Sequence, residues 1–512
     1  MPGVPAAAQL SPGARGVALK LDRAELLRVE AQLLSGQVGA DTIPVLLESV
    51  RHMQRCGQRR GATQSSSERR RKRGRAQSRP KGHGRNGADA YSGACRVVVS
   101  HPSLKVGDTC PAGGCCGKVY DTNAPAQHVE LEGATPIVAT SYERQVLRCA
   151  DCQQTFTASL PDEAHGSKYH ASVDATLAVM RYGLGVPHHR LEQLQRWAGI
   201  PLPASTQFER VEALANAALP VVRHLEQLAA QRPLLQSDDT GARILSLQVE
   251  NQTRAAHERT GLFTTGIVAK GLDGTLPTIV LFASGRRHAG ENLDRLLSKR
   301  AGAAGAPIHM ADGSSMAPRH ERIVAKCLAH ARRYFIEIDQ AFPEHCERVL
   351  TDIATVYQHD RATQGLDPEA RRAYHQEHSR PVLDRLRAWI DEQFEQRQVE
   401  PNSRLGKAFA YLKNHWPGLV RFLSVPGVPL DNNQTERELK PAQRHRKNSL
   451  FFKNETGAAV GDLLLGAIRT CTVNGQDPLR YLTALATHKA RVRAGPEHWL
   501  PWNYQQQLQP LS

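Results

Sequence analysis

Ala242-Arg243-Ile244-Leu245-Ser246-Leu247-Gln248-Val249, Leu262-Phe263-Thr264-Thr265-Gly266-Ile267-Val268-Ala269 and Thr278-Ile279-Val280-Leu281-Phe282-Ala283 are the runs that decide the fold class. Each is short, apolar and rich in β-branched or aromatic residues, and Gly- and charge-containing turns separate them. Together they predict a meander of three strands. Upstream, Ala171 to Ala230 reads as helical, and a helix ending at Gly199 with Ser205-Thr206 capping the next has the outline of a helix-turn-helix. Downstream come a helix at about 291–299 and a short strand from Pro307 to Met310 that runs into Ala311-Asp312-Gly313. Ile323, Val324, Cys327, Leu328, Ala331, Phe335 and Ile338 then form a stripe that predicts one further helix. Three antiparallel strands followed by alternating helices and strands predict a ribonuclease-H-like α/β core.

In such a core Asp238 stands at the start of the first strand and Asp312 just past the end of the fourth, two places that can be neighbours. A third acid comes from Leu430-Asp431-Asn432-Asn433-Gln434-Thr435-Glu436, with Asp431 starting a helix and Glu436 in its first turns. Phosphodiester chemistry uses three such acids: two Mg²⁺ (or Mn²⁺) ions roughly 4 Å apart clamp the attacking and leaving oxygens, and hard oxygen ligands hold them. Arg437, Lys440, Arg444, Arg446 and Lys447 supply the basic surface that draws phosphates towards an acidic pocket. Lys440, four residues after Glu436, either touches DNA or pairs with that carboxylate. Cys327 and His330 have half-metal-site spacing but read as a core thiol beside a polar histidine, and His288, Glu291 and Asn292 read as helix-capping residues.

Around this core the chain of 512 residues has room for three or four folded units. No stretch approaches the roughly 18 uninterrupted apolar residues of a membrane span. Met1 to Leu19 carries Pro2, Pro5 and Pro12 and no basic start followed by an apolar run, so a cytoplasmic protein is expected. The net charge of +16 is concentrated: between Arg51 and Arg85 stand thirteen Lys/Arg against the single acid Glu68. Residues 56–94 therefore read as a flexible DNA-binding linker, with Arg69, Arg70, Arg71, Lys72, Arg73 and Arg75 on phosphates. Residues 1–55 carry two short amphipathic helices, for oligomerisation or a partner, or simply packed onto the body. In residues 95–160, Cys149 and Cys152 have zinc-ligand spacing and Cys110 pairs with Cys115 or Cys116, Cys116-Gly117 resembling the end of a second such turn, so structural Zn²⁺ is expected. The remaining boundaries are a helical region at 168–232, the core at 233–340 and 426–490, a helical insertion at 341–425 and a tail at 491–512.

Four motifs point further. Cys327-Leu328-Ala329-His330-Ala331-Arg332-Arg333-Tyr334-Phe335, then Asp431-Asn432-Asn433 with Glu436-Arg437, Arg446-Lys447-Asn448 with Leu450-Phe451, and Asn474-Gly475-Gln476-Asp477-Pro478 with Tyr481-Leu482 together resemble the IS66 family of bacterial insertion-sequence transposases. The resemblance implies a DDE-type transposase with a zinc-finger module before the catalytic core and a helical insertion within it. It places the first acid in Ser237-Asp238-Asp239-Thr240, where relatives read Asp-Glu-Thr; Asp238 is the better match and Asp239 the alternative. It further implies double-stranded DNA as partner, with terminal repeats and target both bound, a homo-oligomer in the synaptic complex, and companion proteins of the same element. A zinc-containing DNA-binding regulator, or a nuclease that cuts without joining, would share several of these features.

Overall fold

Leu234 and Leu235 are neighbours in the chain yet belong to two separate hydrophobic clusters. That alternation is the signature of a strand buried on both faces. The computed structural model describes residues 98, 101–109, 111, 117–119, 135–148, 150, 155–162, 164, 167–255, 257–311 and 319–509. The chain divides into two units, Met1–Leu131 and Glu132–Ser512. In the first, Thr109 forms an antiparallel bridge with Lys118. The second begins with a hairpin of β1 (Val146–Arg148) and β2 (Thr155–Thr157), Val146 opposite Thr157. The arginine tract Arg69 to Arg75, the expected zinc ligands Cys110, Cys115 or Cys116, Cys149 and Cys152, and Asp312 lie outside the described residues.

Three helices open the body of the second unit: α1 (Ala171–Ala178), α2 (His188–Trp197) and α3 (Ala204–Gln231). α2 ends as expected near Gly199, whose φ of +72° reverses the chain. Ser205 and Thr206 do not cap α3; Pro203 occupies that position and both lie in the first turn. α3 buries Val211, Leu214, Ala218, Val221, Leu225 and Ala229, so it is a core helix packed on the sheet.

The sheet contains β3 (Leu234–Gly241), β4 (Phe263–Lys270), β5 (Ile279–Gly285), β6 (Ile308–Ala311) and β7 (Ile323–Lys326), in the order β5-β4-β3-β6-β7. β3, β4 and β5 run antiparallel as a meander, while β6 and β7 join parallel on the other side of β3. The protein therefore has a mixed α/β core. Two strand boundaries differ from the sequence reading. The first strand is Leu234–Gly241, and much of the run from Ala242 to Val249 is a short helix, α4 (Leu245–Asn251). Ile244 and Leu247, three apart, face Phe452 and Ala458 while Val249 stands exposed, so this apolar run has a helical face. Ile323 and Val324, read as the start of a helix, belong to β7. Their stripe looked continuous because β7 and the helix after it fill one cluster.

α5 (Ala289–Leu297) joins α3 on the face of Leu235, Ile267 and Ile279. α6 (Leu328–Ile338) packs on the opposite face, against Leu234, Ile308 and Met310. That cluster continues through α7 (Pro343–Ala362), α9 (Arg380–Glu395) and α10 (Arg404–Leu419), the last supplying Phe409 and Leu412, while α8 (Pro368–His378) sets its buried His375 against Phe422 of the same cluster. The chain then returns as α11 (Asn433–Ser449) and α12 (Glu455–Val473), and ends in α13 (Pro478–Thr487) and α14 (Lys489–Ala494).

α12 closes the edge of the sheet. Asn474 Nδ2 donates to the Thr278 carbonyl at 2.7 Å and its Oδ1 accepts the Thr278 N–H at 3.0 Å; Thr470 Oγ1 does the same for Val280 at 3.1 and 3.2 Å. Asp462 accepts from Ser284 N at 2.5 Å and Oγ at 2.7 Å. Side chains thus satisfy strand donors and acceptors that would otherwise template another chain. The approach is close, since a Cβ on Gly466 would stand 3.2 Å from the Val280 carbonyl oxygen. Gly466→Val should destabilise the protein by about 1–3 kcal/mol through overpacking, read as a lower urea midpoint; an unchanged midpoint would contradict this packing.

Candidate active site

Asp238 lies within β3, not at its start, directly opposite Gly266 of β4; Asp239 is opposite Thr265. Successive strand residues face opposite ways, so the two aspartates cannot share a role. Asp239 is already engaged: its Oδ1 accepts from Thr265 Oγ1 at 2.6 Å and its Oδ2 from the Ala289 N–H at the start of α5, at 2.7 Å. Asn292 Nδ2 donates to Thr265 Oγ1 at 2.8 Å and completes the network. Burial pushes the Asp239 carboxyl above the usual carboxylate range, against the pull of these hydrogen bonds. Its position at a helix N-terminus explains why an acid stands there. Of the two, Asp238 is the one on the face of Gly266.

That face is covered by α11. Leu439 lies over Gly266, where a Cβ would come within 2.9 Å of Leu439 Cδ2. The segment that leads into α11 is tied down residue by residue. Leu430 accepts the Leu328 N–H at 2.9 Å, and the Asp431 carbonyl accepts from Gln236 Nε2 at 3.1 Å. Asn432, fully buried, donates through Nδ2 to the Ser237 carbonyl at 3.0 Å and through its backbone N–H to Cys327 Sγ at 3.2 Å. The Asp431 carboxylate accepts from Tyr357 Oη at 3.0 Å and from Asn433 N and Nδ2 at 3.1 and 2.6 Å. Asp431-Asn432-Asn433 is therefore a clamp joining β3, α6 and α7 to the first turn of α11. The expected core thiol of Cys327 is the acceptor that seats it.

Glu436, in that first turn, faces α6. Its Oε1 lies 3.2 Å from His330 Nε2 and 3.4 Å from Arg333 NH2. Sequence reasoning left both residues out of the site, although their spacing of three places them on one helical face. Lys440 makes no ion pair with Glu436 among the described residues. It stands exposed with Arg437, Arg444 and Lys447, at intervals of three and four that align all four along the outer face of α11. Arg446 differs: it is half-buried, and its NH1 donates to the Gly241 carbonyl at 2.5 Å. His288 and Glu291 open α5 as capping residues, the His288 N–H donating to Glu291 Oε2 at 3.2 Å.

Asp312 follows directly on Ala311, the last residue of β6, whose neighbour in the sheet is β3. Among the described residues no group of three His, Cys, Asp or Glu side chains could hold a metal ion, and no helix is long and apolar enough to cross a membrane.

A family model described as "Transposase IS66 family" matches residues 166–460. Among curated proteins of Sinorhizobium fredii (strain NBRC 101917 / NGR234), the uncharacterized protein y4jD is 33% identical over 189 residues, 35% of this chain and 36% of that protein, so the match spans about a third of its length. The uncharacterized protein y4hP is 24% identical over 434 residues, 80% of this chain and 75% of that protein. A third, y4qI, is 25% identical over 350 residues, 64% of this chain and 62% of that protein. No solved structure matches the chain.

Because Asp239 satisfies two buried donors and Asp238 faces the α11 side, their alanine variants should separate. Asp239→Ala is expected to cost about 1–3 kcal/mol of stability in urea unfolding, from the donors it leaves unpaired. Asp238→Ala is expected to cost less than Asp239→Ala, since the hydrogen bond that its Oδ1 accepts, at 2.8 Å, comes from the N–H of the adjacent Asp239. Equal losses would contradict the assignment of faces.

Proposed function

The chain belongs to the Transposase IS66 family, and from that membership we propose that it is a DDE-type DNA transposase that cleaves the ends of an insertion sequence and joins them to target DNA. The carboxylates are Asp238, Asp312 and Glu436, on a ribonuclease-H-like core. The observation that carries this reading is the clamp: Asn432 bonds to Ser237, next to Asp238, and opens the helix that bears Glu436, so one rigid connection relates the two acids. The sheet order, an antiparallel meander flanked by two parallel strands, supports the same core.

The donor chemistry fits divalent Mg²⁺ or Mn²⁺, since Asp238 and Glu436 offer hard carboxylate oxygens on one side of the sheet and Asp312 adjoins the end of β6. When bound, two such ions would clamp the attacking and leaving oxygens of an in-line displacement. The protein's own groups do the rest. β3 and the clamp hold Asp238 and Glu436 rigidly, so that little reorganisation is needed at the moment of reaction. Arg333 offsets the charge of Glu436, and His330 lies against the same carboxylate oxygen. Arg437, Lys440, Arg444 and Lys447 run along the exposed face of the same helix and bind the DNA backbone, while Arg446 braces the end of β3. Arg69 to Arg75 add a sequence-independent grip on phosphates, and Cys110, Cys116, Cys149 and Cys152 are the proposed Zn²⁺ ligands. Water opens a strand at the element's end, and the 3′ hydroxyl so released attacks the target phosphate, displacing a strand of the target. Pairing two ends calls for a homo-oligomer, and companion proteins of the same element complete the assembly.

The test is strand transfer with element-end DNA and Mg²⁺. Asp238→Asn, Asp312→Asn and Glu436→Gln should each lose at least about a hundredfold in rate, as losses of several kcal/mol of charge stabilisation require, and EDTA should abolish the reaction. A variant that joins DNA as well as wild type does would remove that acid from the site. Cleavage without joining by the wild type would make the protein a nuclease.

A further inference from the structure

The C-terminal half of α11 borders a cleft that the proposed chemistry does not use. The cleft lies between the end of β3, the start of β4 and the end of β5 on one side and α11 with α12 on the other. Thr264 and Ser284, hydrogen-bonded at 2.7 Å, line it together with Asp462. Burial pushes the Asp462 carboxyl up to about 7, so near neutrality it can serve as donor as well as acceptor. A second wall is a stack of flat rings: Tyr182, His445 and Phe452, with centroids 5.9 and 4.7 Å apart and planes within 21° and 19° of parallel.

Two features of this cleft are unexplained by folding alone. His445, one of the lining residues, is 5% exposed, and among the described residues its buried Nε2 has no hydrogen-bond partner. A buried polar nitrogen left unpaired costs stability unless something binds it. The second is the turn that ends α11. Leu450 has φ +67° and ψ −45°, and the Phe451 N–H donates to the Ser449 carbonyl at 2.8 Å, which is a γ-turn of the rare, strained hand on a branched residue. The turn leaves Leu450 and Phe451 exposed at the mouth, while Phe452 is held inside by its N–H to the Arg243 carbonyl at 2.8 Å. Arg243 and Arg446 flank the opening, and the exposed row Arg437, Lys440, Arg444 and Lys447 leads along the same helix to it.

We propose that this cleft receives one unstacked nucleobase of the bound DNA, with Phe451 as its stacking platform and His445, Thr264 and Asp462 meeting its polar edge. The inference rests on the transposase reading for its ligand, since a basic helix that tracks a backbone brings bases to this mouth. A flat aromatic ring with donors and acceptors on its rim is the group that matches a ring-lined wall and a polar floor, and phosphates on either side of it would meet the exposed Arg243 and the basic row of α11. No covalent step is involved.

The test is equilibrium binding of the full-length protein to two labelled duplexes of identical element-end sequence, one perfect and one carrying a single bulged 2-aminopurine. Wild type should prefer the bulged duplex by at least roughly fivefold, the low end of what one base–aromatic stack contributes, and the fluorescence of the bulged 2-aminopurine should change on binding. Phe451→Ala should reduce that preference to within about twofold, and Phe451→Trp should keep it. No preference in the wild type, or a preference that survives Phe451→Ala, overturns the proposal. A wild type that prefers the bulge but never joins strands would sink the transposase reading and leave the base site standing. One that joins strands without any preference would do the reverse, and one that binds neither duplex overturns both.

Discussion

Where Leu439 rests on Gly266, a Cβ would stand 2.9 Å from the leucine's Cδ2, and the missing atom makes room for that side chain between α11 and the sheet. Gly266 is the register partner of Asp238, so the site of closest helix approach is also where this acid emerges. A larger residue at 266 would have to displace the Leu439 side chain that makes this contact between helix and sheet. The clamp of Leu430 to Asn433 fixes the same helix along its axis, with Asn432 between the Ser237 carbonyl and the Cys327 sulfur. Steric permission from one strand and hydrogen bonds from its neighbour together define where α11 begins.

From this contact the other parts follow in order. With the start of α11 fixed, its polar face divides into an inner side, where Glu436 meets His330 and Arg333, and an outer side carrying Arg437, Lys440, Arg444 and Lys447. The far end of the same helix reaches the cleft beside Phe452. One element thus spans the acids, the basic track and the cleft. The helices α7, α9 and α10 lie between α6 and α11 in the chain and share one cluster with Leu234 and Met310, so the long excursion adds to the layer that covers that face of the sheet.

Some of this was legible in the sequence because local chemistry dictates it. The meander runs Leu262 to Ala269 and Thr278 to Ala283 are close to β4 and β5, since β-branched runs between glycines have few other outcomes. The mixed α/β class followed from them. Other features were hidden because they depend on register or on distant partners. The family motif favours Asp238 over Asp239 in Ser237-Asp238-Asp239-Thr240, but which face each acid takes is not legible until the pairing with β4 is known, and one step of register would exchange their faces. β3 was misplaced because Gln236, Ser237, Asp238 and Asp239 look polar for a central strand; the burial of Gln236, Ser237 and Asp239 is compensated by Asp431, His309, Thr265 and Ala289. His330 and Arg333 were missed for a related reason: their partner lies a hundred residues onward in the chain, across the helices α7 to α10. The motif Asn474 to Asp477 proved to be architectural, with Asn474 closing the sheet edge and Asp477 capping α13.

The central claim is that Asp238 and Glu436 form one metal site through the α11 contact. Fe²⁺ substituted for Mg²⁺, with ascorbate and peroxide, generates hydroxyl radicals that cut the backbone nearest the bound ion, and mapping those cuts on the full-length protein tests it directly. The account predicts cuts close to both Asp238 and Glu436, suppressed together by excess Mg²⁺ and lost at both places in Asp238→Asn. Cuts at only one of the two places, or cuts that persist near Glu436 in Asp238→Asn, would contradict it.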